Sequence, residues 1–303
     1  GGTVAGLSRR RFLAVSGGLA ATWALPIDWV GRALAAPVQP AEVQTTLVGT
    51  IRKAGMSGYT KLVATAGEPL ITRLDVLGKE ASADRAKNRR SLLYLGHISD
   101  LHLIDAQTPA RLDTMAALDP VLFSGNFRPQ EIAQVQILSQ LIAALNSAAS
   151  SPITGAPMGF VLNTGDNTDQ RSHQEMRWFV DTMDGGKITA NTGKAGEYEG
   201  VQVWENTWAW HPEDPSNDDF GAYGFPAIPG LLNAAVSQTV TSPGLAVPWY
   251  AVFGNHDTLL NGFAPIDSGL RALATGDRKA DNWQALGEVY LRGMGQDGSV
   301  FNR

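Results

Sequence analysis

Three polar clusters, each closing an apolar run, hold the residue types from which metal chemistry is built. Asp100-Leu101-His102 follows the run 91–98, Gly165-Asp166 follows 158–162, and Gly254-Asn255-His256-Asp257 follows 248–253. Carboxylate, imidazole and amide oxygen together suit divalent first-row ions with mixed nitrogen and oxygen preference, such as manganese, iron or zinc. An aspartate beside a glycine, as at Gly165-Asp166, can bring backbone and ion close together, because the glycine has no Cβ in the way. Two divalent ions about 3.5–4 Å apart clamp a phosphoryl group and activate water near neutral pH. One such cluster is weak evidence; three in order are a strong signal.

Those residues need a rigid frame. The runs 91–98, 158–162 and 248–253 are short and apolar and read as strands. Residues 129–149 carry Ile132, Val135, Leu138, Leu141, Ile142 and Leu145 near a 3.6 period, with Pro129 placed for a first helical turn. Residues 172–183 read as a second helix stopped by Gly185-Gly186. Strands that each end in a polar cluster, with helical or long segments between, predict an α/β sheet whose functional groups sit at the carboxyl ends of its strands. Upstream, residues 36–90 read as a β-rich lead-in of two or three hairpin strands, with 81–90 as helix or loop. The segment 185–247, with Trp204, Trp208, Trp210 and an acidic loop at 214–219, is too long for an ordinary connection and too aromatic for disorder. It is expected to be a structured cap near the site.

Composition narrows the classes. The chain has 303 residues, a net charge of −5, 17% charged and 44% apolar residues, and no cysteine. It is long enough to bury a core without staples. Thiol catalysis, disulfide frameworks and cysteine-based zinc sites are excluded. No basic stripe marks a nucleic-acid groove. Ser8-Arg9-Arg10-Arg11-Phe12-Leu13 fits a twin-arginine export signal, followed by an apolar run over 12–25 and a small-x-small cleavage site at Ala33-Leu34-Ala35. That run is too short for a span of about 20 residues. Residues 1–35 are therefore expected to be an export signal handled by the twin-arginine machinery. The mature protein would be periplasmic, cell-wall-associated or extracellular, with no stable membrane span.

Asp-x-His, Gly-Asp and Gly-Asn-His-Asp, in that order on strand ends, resemble the calcineurin-like metallophosphoesterase superfamily, in particular an exported bacterial subfamily with long inserts between motifs. The resemblance covers roughly residues 92–257. It implies a two-sheet sandwich flanked by helices over 91–303, and hydrolysis of a phosphodiester, nucleotide or phosphomonoester substrate by two divalent ions and a metal-bound hydroxide. Asp100 and His102 would bind the first ion, Asp166 would bridge both, and Asn255 would bind the second. His256 would stay off the metal as general acid or electrostatic stabiliser, and Asp257 would orient it.

Two departures matter. Asn167, Thr168 and Asp169 stand where a purple acid phosphatase carries its tyrosine ligand, so no iron-tyrosinate colour is expected. No histidine follows His256, whereas the family ends with another histidine and a Gly-His-x-His motif. The chain is accordingly expected to be a fragment, inactive by itself. The rival reading is a non-catalytic exported binding protein on a decayed phosphoesterase scaffold.

Other residues carry plainer expectations. Asp169 reads as a turn or cap residue ahead of the second helix, and Arg111 as a surface arginine able to contact phosphate. His97 is expected to be packed or hydrogen-bonded, His173 to lie on the surface, and His211 to be a polar residue of the aromatic loop, with reach into the site from the cap the alternative. The three tryptophans are expected to form the core of the cap, with base or sugar stacking the sharper alternative.

Overall fold

The computed structural model describes residues 46–53, 62–69, 71–117, 124–262, 265–279 and 282. The expected export signal and the first part of the lead-in lie outside the described residues. What is described is a mixed α/β fold in which the chain divides into two compact units.

The smaller unit includes Leu70–Leu95 and Ala148–Gly159. It holds two single helical turns, Leu74–Leu77 and Arg85–Asn88. The Tyr94 hydroxyl donates to the Ala148 carbonyl at 2.9 Å, and Gly159 N–H to the Tyr94 carbonyl at 2.9 Å, which ties its two segments together.

The larger unit carries every residue singled out for chemistry. Strands β1 (Gly49–Lys53) and β2 (Leu62–Ala66) pair antiparallel, as the lead-in predicts. Strands β3 (Gly96–Ile98), β4 (Val161–Asn163) and a later strand at Trp249–Ala251 form a parallel sheet with β4 in the centre. β3 and β7 fall inside the predicted apolar runs, and β4 runs one residue past its own, to Asn163. They are shorter than those runs, and β3 and β4 begin well after the runs do. Helix α1 (Gln134–Ser147) buries Val135, Leu138, Ser139 and Ile142. It starts later than the periodicity indicates, because residues Glu131–Ala133 form a tighter turn first. Helix α2 (His173–Asp184) begins with a reciprocal capping box: Ser172 accepts from Glu175 N–H while the Glu175 carboxylate accepts from Ser172 N–H.

After α2, β5 (Lys187–Thr189) pairs antiparallel with β6 (Thr239–Thr241), bringing the two ends of the long insert together; helix α3 (Leu231–Ser237) precedes β6. The strand Trp249–Ala251 is β7, and helix α4 (Ser268–Thr275) follows. Inside the insert, Val201, Ala209 and Trp210 are buried with Ala116 and Phe127, and Trp204, Trp208, Phe220 and Phe225 pack against them. The tryptophans thus form an apolar core, and that core closes on the segment between β3 and α1. Polar contacts add to this anchor: Gln107 bonds Asn191 at 2.8 Å and receives Glu199 N–H at 2.6 Å. Among the described residues, no helix is long and apolar enough to cross a membrane.

Candidate metal centre

The loops leaving β3 and β4 do not splay apart; they continue side by side. Asp100 N–H donates to Gly165 O at 3.1 Å, His102 N–H to Asp166 O at 2.9 Å, and Leu103 N–H to Asn167 O at 3.1 Å. Within this paired stretch Asp100, His102 and Asp166 have φ of 57°, 45° and 52°. Left-handed backbone at a residue with a Cβ is costly and persists only where surrounding bonds over-determine it. Five described non-glycine residues have positive φ, and three of them are these site residues. The left-handed turns break the strand alternation and so place Asp100, His102 and Asp166 together.

The loop after β7 closes on the same spot. A Cβ on Gly254 would lie 2.2 Å from Asp166 Oδ1 and 2.3 Å from its backbone nitrogen, so only glycine permits this approach. His256 N–H donates to Asp166 Oδ1 at 2.8 Å, which leaves Oδ2 turned toward His102. His102 Nε2 lies 3.7 Å from Asp100 Oδ1 and 4.0 Å from Asp166 Oδ2. Ligand atoms each about 2.0–2.2 Å from one ion are separated by about 3–4 Å, so this spacing fits a shared cation. His102, Asp166 and His256 each present a ligating atom, all within 4.8 Å of one another. Asp100 is largely exposed, and its carboxyl is held below the usual range chiefly by the Ser99 hydroxyl. Asn255 is exposed, beside His256 on the same turn.

Behind the imidazoles sits a residue whose role the sequence did not reveal. Asp169 has a fully buried side chain, and its two oxygens divide the work. Oδ1 lies 2.8 Å from His102 Nδ1 and 3.0 Å from His256 Nδ1; Oδ2 lies 2.7 Å from Arg128 and 3.2 Å from Arg111. Burial opposes its charge, but the two imidazoles and the two guanidiniums outweigh that and hold the carboxyl well below the usual range. The hydrogen bond from Nδ1 to the carboxylate fixes His102 as the Nδ1–H tautomer and leaves its Nε2 as an acceptor or ligand, while His256 Nδ1 faces the same oxygen without a hydrogen bond. The rings meet edge to face, centroids 4.4 Å apart.

Several sequence expectations change here. Asp169 caps no helix, because Ser172 does so. Arg111 is not on the surface: it is buried and paired with Glu131 at 2.8 Å. Asp257 does not orient His256. It accepts from Asn167 N–H, Asn167 Nδ2, Thr168 N–H, the Thr168 hydroxyl and Gly254 N–H, and so ties the loops after β4 and β7 together. Four donors on the β4 loop and Gly254 N–H on its own loop occupy Asp257, and the His256 ring nitrogen Nδ1 lies 3.0 Å from Asp169 instead. His97 is exposed yet bonded to Thr164 at 2.9 Å, His173 is exposed, and His211 bonds Asn206 at 3.3 Å within the insert. Arg128 and Glu131 carried no signal in the sequence, since a charged residue ahead of or in the first turn of a helix reads as surface until its partner is known.

No family model, curated protein or solved structure matches this chain.

Proposed function

We propose that this chain carries the metal centre of a phosphoesterase resembling the calcineurin-like superfamily. The observation that carries the reading is the convergence of Asp100, His102, Asp166 and His256 at the carboxyl ends of three adjacent parallel strands, with both imidazoles backed by one buried carboxylate. The donor set, two carboxylates and imidazole nitrogen, fits manganese, iron or zinc. Bound divalent ions would polarise a phosphoryl oxygen and lower the pKa of water.

The chain's own residues supply the rest. Asp100, His102 and Asp166 would hold the first ion, and Asp166 with Asn255 would serve a second. His256, with Nδ1 on Asp169, keeps Nε2 available, either as a ligand or as the proton donor to a departing ester oxygen. Asp169 keeps the His102 ring in the tautomer that ligation through Nε2 needs, and its charge beside His256 would stabilise the imidazolium from which Nε2 donates. In this reading the parallel sheet is one layer of a two-sheet sandwich, the substrate is a small or nucleotide phosphoester, and the protein is exported through the twin-arginine route.

The test is metal content and hydrolysis measured on the purified protein. Asp166→Asn is expected to lower the affinity for manganese about 10–100-fold while the circular dichroism spectrum is kept. Hydrolysis of a phosphodiester and phosphomonoester panel should fall with it. Metal-loaded protein that cleaves no member of a broad panel would sink the proposal.

A further inference from the structure

Away from the metal cluster, the insert and the segment after α4 enclose a groove of about 710 Å³ lined by Trp204, Glu205, Asn206, Trp208, Arg278 and Lys279. That volume lies within the range of small-molecule sites, and none of the six residues belongs to the His102–Asp166–His256 set. The walls are held in place. Trp204 Nε1 donates to Glu199 O at 3.1 Å, and Trp208 stands edge to face on Phe127 at 5.9 Å. Asn206 is fully engaged: its amide donates to Val201 O at 2.8 Å and its oxygen accepts from Ala209 N–H at 2.8 Å. Lys279 is equally committed, 2.8 Å from Asp113 and bonded to the carbonyls of Ala106 and Thr108.

Two exposed groups in the groove, Glu205 and Arg278, have no hydrogen-bond or ion-pair partner among the described residues. What the groove offers a ligand is therefore two fixed indoles, one carboxylate acceptor and one guanidinium fork. Indole faces stack on planar rings, and the stacking is worth about 1–3 kcal/mol per base. A guanidinium grips a phosphate through paired N–H donors. A carboxylate takes hydrogen bonds from ring hydroxyls or an exocyclic amine.

We propose that this groove binds a nucleoside monophosphate: a flat aromatic base against the indoles, the phosphate on Arg278, and hydroxyl or amino donors on Glu205. The site needs no metal, so it stands apart from the phosphoesterase reading. Lys279, already neutralised by Asp113, contributes stem packing and no free charge.

The experiment is calorimetric and tryptophan-fluorescence titration of the protein with adenosine 5′-monophosphate, adenosine and inorganic phosphate, each with and without EDTA. Adenosine monophosphate should bind and quench fluorescence in both conditions, and more tightly than either half. Arg278→Ala, an exposed change, should weaken the nucleotide about tenfold or more and leave adenosine unchanged, with an unaltered melting curve. Three results would each overturn the proposal: no nucleotide binding up to about 1 mM, equal nucleotide affinity in Arg278→Ala, or binding that disappears with EDTA. The last would place the nucleotide at the metal centre.

Discussion

At the residue scale, Asp169 decides most. Its burial would be prohibitive for a lone carboxylate, since an unpaired buried charge costs several kcal/mol. It is tolerated because two guanidiniums face one oxygen and two imidazole Nδ1 atoms face the other. Asp169→Asn keeps the volume but turns an amide N–H₂ toward groups that are themselves donors. The variant should lose about 3–5 kcal/mol in urea unfolding. The His102 imidazole would no longer be fixed in one tautomer, so ring-nitrogen NMR should show mixed tautomers at His102. An unchanged tautomer would mean that packing, and not Asp169, orients the ring.

At the element scale, the site exists because three strand-end loops approach more closely than side chains allow. Gly165 and Gly254 are the crossing point: a Cβ on Gly165 would lie 2.9 Å from Gly254 Cα, and one on Gly254 would strike Asp166. Gly254→Ala should cost about 1–3 kcal/mol by overpacking and displace Asp166 from His102. Gly125, whose Cβ would meet nothing within 4 Å, is the control, and Gly125→Ala should change stability by no more than about 0.5 kcal/mol. Thermal unfolding of both variants, with manganese affinity read beside it, separates a close approach from a general intolerance of alanine.

Across the whole molecule, buried charge is balanced and not avoided. Arg111, Arg128 and Lys279 offset Glu131, Asp169 and Asp113, all within one connected set of ion pairs or near neighbours. Glu175 stands outside that balance. Burial pushes its carboxyl up to about 7, against the pull of N–H groups from Asp105, Ser172 and Gln170 that join the loop after β3 to the start of α2. A raised carboxyl holds its proton longer in the folded chain than in the unfolded one. Its contribution is therefore complete below the ordinary Glu value and is lost as pH rises toward 7. The protein should lose up to about 3 kcal/mol of stability between pH 4.5 and 7 from this group. Urea unfolding of wild type and Glu175→Gln across that window checks it: the difference between the two should change with pH in this direction, and a flat difference would show that Glu175 is ionised throughout.

The three parallel strands, both principal helices and the residues converging at the strand ends were legible in the sequence, because each depends on local pattern. Apolar runs make strands, a 3.6 period makes a helix, and glycine beside a polar residue marks a sharp turn. What lies behind the site was not legible. Asp169 and Asp257 are both aspartates a few residues past a turn, and nothing in their neighbours says that one backs the imidazoles while the other ties the loops. Arg111 is 58 residues from Asp169 along the chain and 3.2 Å from it in space. Burial and pairing of charge are properties of distance in three dimensions, so only the tertiary structure could assign them.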